Sequence, residues 1–157
     1  MPAPQYVANT EGAVALTAAT AKCVVGVKAH ANSGLLLCGF SIACDGVTAS
    51  AVPGLVEVMY CTWGANSPGT NSTSTTPRQV NGRVLTAGFT SGKTWTTEPT
   101  TLTAAFPEFL LSPNGGTFVY NFPLGTEPDS ALAEGFAIRL TFPAVVNVRA
   151  GLIVSRC

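Results

Sequence analysis

The segment Phe136-Ala-Ile-Arg-Leu-Thr-Phe142 alternates apolar with polar or small side chains, and Val146-Asn-Val-Arg-Ala-Gly-Leu-Ile-Val154 repeats the pattern shortly afterwards. A period of two is the side-chain repeat of a β-strand, and a single apolar face is typical of a half-buried antiparallel strand. We therefore predict a strand over each segment and a hairpin between them that turns at Pro143-Ala144. The predicted core residues of this pair are Phe136, Ile138, Leu140, Phe142, Val146, Val148, Ala150, Leu152 and Val154.

The same alternation recurs upstream, whereas amphipathic helical spacing is almost absent. Strands are predicted with inward faces at Cys23, Val25, Val27 and Ala29; at Leu36, Cys38, Phe40 and Ile42; at Val56, Val58 and Tyr60; and at Phe118, Tyr120 and Phe122. The last of these follows a turn signal at residues 113–116, so we expect a second hairpin with residues 106–111. Weaker strands are expected near residues 13–19 and 83–87. The one candidate helix, residues 129–133, is a single turn at most.

These segments predict an all-β domain, an antiparallel two-sheet sandwich that is jelly-roll-like, with about eight or nine strands. The domain is expected to span residues 13–157 and to follow an extended N-terminal arm, residues 1–12. Residues 64–77 and 90–103 are rich in Thr, Ser, Asn, Gly and Pro, so each is predicted to be a long exposed loop.

Composition narrows the classes of partner. The chain of 157 residues is 46% hydrophobic and only 10% charged, against roughly 25% charged residues in an ordinary soluble domain. Eight basic and eight acidic residues cancel, which leaves no electrostatic footprint for nucleic acid or an anionic membrane. The N-terminal residues lack the basic start and apolar run of a secretory signal, and no apolar stretch is long enough to span a bilayer. We expect a soluble protein with neither nucleic acid nor a membrane as a direct partner.

The cysteines do not indicate a disulfide framework or a metal site. Five is an odd number, and a reducing cytosol keeps thiols free. Cys38 and Cys44 would lie about 20 Å apart along one strand, which is beyond disulfide reach. There is no CxxC pair, and His30 is the single histidine, so no metal is expected. Cys23, Cys38 and Cys61 are predicted to be buried, and Cys157 to be exposed.

Residues 87–94, Ala-Gly-Phe-Thr-Ser-Gly-Lys-Thr, fit a permissive phosphate-loop pattern. Such a loop needs a helix that begins at the lysine, because the free N–H groups of the helix N-terminus hold the phosphates. The following residues, Trp95-Thr-Thr-Glu-Pro99, cannot start a helix, since β-branched residues and proline interrupt them. We therefore predict a Gly-Lys turn between strands at Lys93, and no nucleotide cofactor.

Other candidates for chemistry are equally weak. His30 lies in a turn-like stretch, so we expect a solvated loop residue rather than a catalytic base. Glu127 and Asp129 flank a proline, where acids are common in turns, and they do not indicate a glycosidase pair. Asn71-Ser-Thr fits a glycosylation acceptor, but we interpret it as loop composition. We predict no catalytic, cofactor-binding or metal-binding residues, and hence no enzyme.

Seven sequence segments resemble a known family, and together they extend over almost the whole chain. They are residues 6–22, 45–53, 66–74, 111–116, 122–125, 134–139 and 143–150. Together they resemble the small virion-associated proteins of tailed bacteriophages, of the minor capsid or head decoration type. The resemblance implies a β-rich subunit that binds an assembled capsid, usually as a symmetric oligomer. It supplies no active-site residues.

The resemblance leads us to expect a structural virion protein that stabilises a phage capsid, lies on the capsid surface and is synthesised in the host cytoplasm. Its expected partners are the major capsid protein and further copies of itself, as a homotrimer. The candidate interface residues are Tyr6 and Val7, which are expected to order against a neighbour, and Trp63 and Trp95, which border the polar loops. Two alternatives stay open: a lectin-like sandwich whose tryptophans stack on a sugar, and a tail-associated structural protein.

Overall fold

The computed structural model describes residues 3–45, 52–83, 85–99 and 102–157. Thirteen strands lie in these residues, and none of the described residues is helical. The strands are β1 (Gln5–Asn9), β2 (Val14–Ala15), β3 (Lys22–Lys28), β4 (Leu35–Cys44), β5 (Gly54–Cys61), β6 (Ser72–Thr75), β7 (Arg78–Asn81), β8 (Thr90–Trp95), β9 (Leu102–Ala104), β10 (Phe109–Leu111), β11 (Thr117–Asn121), β12 (Gly135–Thr141) and β13 (Asn147–Arg156). Within the described part of the chain, no helix is long and apolar enough to cross a membrane.

The strands form two antiparallel sheets. Sheet A has the order β11-β4-β13-β1-β7, with β2 also paired to β13. Sheet B has the order β10-β5-β12-β3-β8-β6, with β9 also paired to β5. The sets β1-β13-β4-β11 and β3-β12-β5-β10 have the strand order of a jelly roll, in which the chain passes repeatedly from one sheet to the other. The predicted all-β, jelly-roll-like sandwich is thus confirmed.

The strands outside this jelly-roll core explain why the count exceeds the prediction. The first polar segment, residues 64–77, contains β6, and the second, residues 90–103, contains β8 and part of β9. β6 pairs with β8, and β8 pairs with β3, so both polar segments extend sheet B rather than forming only loops. β6 carries only Ser and Thr, so no apolar alternation marks it, and main-chain hydrogen bonds hold it in place.

The predicted core face of β12 and β13 is confirmed, but the prediction that the two strands form a hairpin is wrong. The predicted core residues of both strands are all buried between the sheets. β12 pairs with β3 and β5 in sheet B, however, whereas β13 pairs with β1 and β4 in sheet A. The expected second hairpin fails in the same way, because β10 pairs with β5 and β11 pairs with β4. A short connection can cross between stacked sheets as readily as it can close a hairpin, and alternation is identical in both cases.

Two bulges reverse parts of the predicted inward faces. In β3 the register against β12 shifts at Val24, so Cys23 faces away from the main core while Val25 faces into it. In β4 the register against β13 shifts at Cys38, so Leu37 lies in the core and Cys38, predicted to be buried, is only half-buried. A bulge adds one residue to one strand and moves the following side chains to the other face.

The N-terminal segment is a strand of the sandwich rather than a free arm over residues 5–9. β1 lies between β13 and β7 in sheet A, and Tyr6 and Ala8 are buried in the main core. The weak strand expected near residues 13–19 shrinks to β2, and the described residues of 83–87 form none. The candidate helical turn at 129–133 is instead a bridge from Asp129 to Leu36 followed by a turn.

Candidate interaction surface

Trp63 and Trp95 stack on the outer face of sheet B, the face that points away from sheet A. Their ring centroids lie 5.5 Å apart with an interplanar angle of 18°, and the residues are 1% and 0% exposed. They form a small second core with Cys23, Cys61 and Ala137. Neither ring has a free face for a partner or a sugar, so the prediction that placed these two residues at an interface is corrected.

Unusual backbone conformations bring the two rings together. Trp63 has a φ of 65° and Thr94 a φ of 51°, both in the left-handed region that bulky or β-branched residues rarely adopt. Thr94 lies where the register between β6 and β8 shifts, so Trp95 faces the outer side of sheet B. The indole Nε1–H of Trp95 donates to the carbonyl oxygen of Asn66 at 2.9 Å. Packing overrides local preference here, and no local sequence signal indicates such an arrangement.

Charged side chains extend this cover over sheet B. Arg139 donates from Nε and Nη2 to the two carboxylate oxygens of Glu57, at 2.8 Å each, and these hydrogen bonds raise the pKa of the guanidinium. Glu98 accepts the backbone N–H of Cys23 at 2.8 Å and lies 3.9 Å from the Lys22 amine. Burial, followed by the charge of Glu98, raises the pKa of the Cys23 thiol. The chain therefore covers the outer face of sheet B with its own side chains.

Among the described residues, no comparable set of side chains covers the outer face of sheet A. Its outward positions alternate with the core residues of β1, β4, β11 and β13. We call this surface the bare face; its residues are Gln5, Val7, Asn9, Gly39, Ser41, Ala43, Thr117, Val119, Asn121, Asn147, Arg149, Gly151 and Ile153. Among these described positions Arg149 is the single charged residue, and Arg78 of β7 lies beside Val7 at the border of the face. The half-buried side chains of Val7 and Ile153 lie side by side near the middle of the sheet.

The other two predicted interface residues, Tyr6 and Val7, point to opposite faces of sheet A. Tyr6 points inward and is 1% exposed, its hydroxyl donates to the carbonyl of Leu85 at 3.1 Å, and its ring meets Phe89 edge-on at 5.6 Å. It is therefore a core residue, and its place in the predicted interface is corrected. Val7 points to the bare face, so of the four predicted interface residues it alone has a side chain on an outer surface that the chain leaves uncovered.

Lys93 lies within β8 rather than in the predicted turn. Gly92 pairs with Gly26 and Lys93 pairs with Val25, which makes the Gly-Lys step part of a strand ladder. The Lys93 amine donates to the backbone carbonyl of Thr10 at 2.7 Å. The strand continues through Trp95, so no helix N-terminus is present here to hold a phosphate, as the sequence predicted.

The remaining polar residues that were considered for catalysis form hydrogen bonds within the protein. His30 is exposed, and its Nδ1 accepts the backbone N–H of Asn32 at 3.3 Å. Glu127 accepts the N–H of Gly125 at 2.6 Å, and Asp129 accepts a weak hydrogen bond from the Cys157 thiol at 3.5 Å. Among the described residues, no group of three or more His, Cys, Asp and Glu could hold a metal ion.

All five cysteines are free thiols, as predicted. Burial raises the pKa of Cys44 and of Cys61 from an ordinary value of 9.0 to about 11. Cys157 is exposed, as expected from its position. Comparisons with protein-family models, with curated proteins and with solved structures found no match for this chain.

Proposed function

We propose that this protein is a structural subunit of a phage particle that binds the assembled capsid through the bare face of sheet A. The observation that carries the proposal is the contrast between the two outer faces. Sheet B is covered by a tryptophan pair and two ion pairs, whereas the bare face of β1, β4, β11 and β13 presents mostly neutral side chains, with Arg149 as its single charge and Arg78 of β7 beside Val7 at its border.

The chemistry of the bare face favours a protein partner. Solvent-facing positions of an antiparallel sheet are ordinarily polar and often charged, because nothing else covers them. The core of a protein–protein interface is instead depleted in charge, since a buried unpaired charge is costly. Gly151 leaves the middle of the face low, so a partner surface can approach β13 closely.

The fold and the resemblance support the same class of function, but neither of them is sufficient by itself. Jelly rolls build viral capsid domains, but they also build lectins and cupins, so the fold supports a virion role only by analogy. The lectin-like alternative relied on Trp63 and Trp95 as a sugar platform, and both rings are buried. The capsid protein as partner and the location on the capsid surface come from the resemblance and are part of the proposal.

Cosedimentation with capsids tests the proposal. Purified capsids of the parent phage that lack this protein are mixed with the wild-type chain or with Ile153→Lys, which places a charge in the middle of the bare face. We expect wild-type protein to pellet with capsids in saturable amounts and Ile153→Lys to bind at least about tenfold more weakly, because one uncompensated buried charge costs well over 1.4 kcal/mol.

The matched control is Leu110→Lys, which adds the same charge at a side chain that is 67% exposed on sheet B. This variant is expected to bind capsids like the wild type. Equal binding by Ile153→Lys and the wild type would remove the bare face from the mechanism. Absence of any wild-type binding to capsids would contradict the proposed function itself.

A further inference from the structure

β11 forms one edge of sheet A, and within the described residues that edge has none of the usual protection against pairing. Exposed edge strands are commonly blunted by charged residues, by proline or by shortness, because their free N–H and C=O groups are a template for another strand. β11 has five residues, Thr-Phe-Val-Tyr-Asn, and no charged residue lies between Glu108 and Glu127. Its central residue, Val119, is 60% exposed.

The other described edges are blunted. β7 carries Arg78 at its start, and β6 presents only hydroxyl side chains. The edge formed by β9 and β10 is split into two three-residue pieces, with Pro107 and Glu108 between them. Among the described edge strands, β11 is thus the one that combines full length, neutrality and apolar side chains.

The hydrogen bonds of β11 that face outward belong to alternate residues. Gly116 accepts the N–H of Cys44, and Phe122 donates to the carbonyl of Cys38, so the even-numbered residues bond to β4. In an antiparallel ladder the intervening residues direct their N–H and C=O groups to the opposite side. The main-chain groups of Thr117, Val119 and Asn121 therefore point away from the sheet.

A row of aromatic rings lies beneath this edge, and the two sheets bury these rings only partly. Phe118 lies 4.3 Å from Phe109, and Tyr120 lies 4.8 Å from Phe106, measured between ring centroids. These rings and Phe122 are partly buried and pack against the main core. A strand added beside β11 would cover their remaining exposed surface.

We propose that two copies of this chain pair antiparallel through β11 about a twofold axis at Val119. This register places Val119 against Val119 and Thr117 against Asn121, and each pair exchanges two main-chain hydrogen bonds. On the inner side it places Phe118 against Tyr120, and the large Phe122 against Gly116. A twofold also places like residues together near the axis, which a neutral strand permits and a charged one would oppose.

The sequence of residues 116–122, Gly-Thr-Phe-Val-Tyr-Asn-Phe, is thus self-complementary in size and polarity about its centre. Pairing would join two A sheets into one continuous sheet with a doubled bare face. The inference does not depend on capsid binding. It gives an even number of copies, whereas the homotrimer is an expectation from the resemblance.

Sedimentation velocity of the purified chain with charge variants at the axis tests this pairing. We expect the wild type to form dimers in a concentration-dependent manner, and Val119→Lys and Val119→Glu each to lose the dimer, since like charges then face each other. An equimolar mixture of the two variants should restore it, because only this register places residue 119 against its own copy. Val119→Thr should keep the wild-type dimer.

Leu110→Lys, which places a charge on the edge of sheet B, is expected to leave the dimer intact. Far-ultraviolet circular dichroism would verify that each variant retains its strands. A wild-type protein that stays monomeric at every concentration overturns the pairing. So does an oligomer, trimeric or otherwise, that survives both charged substitutions, or a mixture that stays monomeric.

Discussion

Replacement of Gly26 by alanine tests how the tryptophan pair is packed. A Cβ on Gly26 would overlap the Trp63 ring at Cη2 and lie 3.0 Å from Cη2 of Trp95. Both rings are fully buried and stacked on each other, so neither can move aside without losing contacts. Gly26 has no positive φ, so alanine causes no backbone strain there. Overpacking of this kind typically costs about 1–3 kcal/mol.

Gly151→Ala is the matched comparison, because Gly151 also lies within a strand without a positive φ. A Cβ there would meet its nearest atom, Ser41 Oγ, at 3.4 Å, which is an ordinary contact. Both substitutions restrict the unfolded chain equally, by about 0.4–1 kcal/mol in favour of folding, so this contribution cancels between them. We expect Gly26→Ala to be less stable than Gly151→Ala by about 1–3 kcal/mol in urea denaturation. Equal midpoints, with unchanged tryptophan fluorescence, would refute the packing of Trp63 and Trp95 over Gly26.

Three further predictions concern the core, the thiols and the N-terminal strand. Ile138→Ala should cost about 2–5 kcal/mol of stability, and Arg139→Ala less, because Ile138 is fully buried in the main core while Arg139 is partly exposed at the outer face of sheet B. The reverse order in urea denaturation would mean that the register of β12 is misassigned. Stability should fall as the pH rises from 9 to 11, because the thiols of Cys44 and Cys61 stay neutral in the folded state to about 11 while their unfolded counterparts ionise near 9.0; Cys61→Ala should flatten that dependence, and an unchanged slope would argue against it. Deletion of residues 2–10 removes β1 from the interior of sheet A, so we expect loss of the folded sandwich by circular dichroism, and a cooperative fold without these residues would contradict the placement of β1.

The fold class and most core faces could be predicted from the sequence, because a strand with one buried face has apolar residues at every second position. β12 and β13 show this most plainly, since every apolar position of their alternation is buried. The same alternation cannot reveal which sheet a strand joins. For that reason both hairpins were predicted wrongly, at residues 143–144 and at residues 113–116.

The sequence pattern could not predict features that depend on one extra residue in a strand or on packing between distant segments. The bulges at Val24 and Cys38 reverse side-chain faces without any change in composition. The polar strand β6 forms because β8 offers it a hydrogen-bonding edge.

For the candidate interface, the expectation from residues alone placed Tyr6, Trp63 and Trp95 at a surface, since large aromatic residues beside polar loops suit an interface. Burial of Tyr6 depends on β7 and residues 85–89, far away in the sequence. The bare face was missed for the opposite reason: apart from Arg149 it consists of neutral residues from four separate strands, and none of these residues is distinctive in the sequence. Only the order of strands in sheet A brings them together.

Electron cryomicroscopy of phage capsids incubated with this protein would test the proposed binding of the bare face to a capsid. We expect density for the jelly-roll sandwich on the capsid, with Val7 and Ile153 of the bare face turned toward the shell and the tryptophan-covered face of sheet B turned away from it. A capsid that holds no copy of this sandwich would refute the proposed function, and a bound copy whose bare face points to solvent would refute the proposed binding surface.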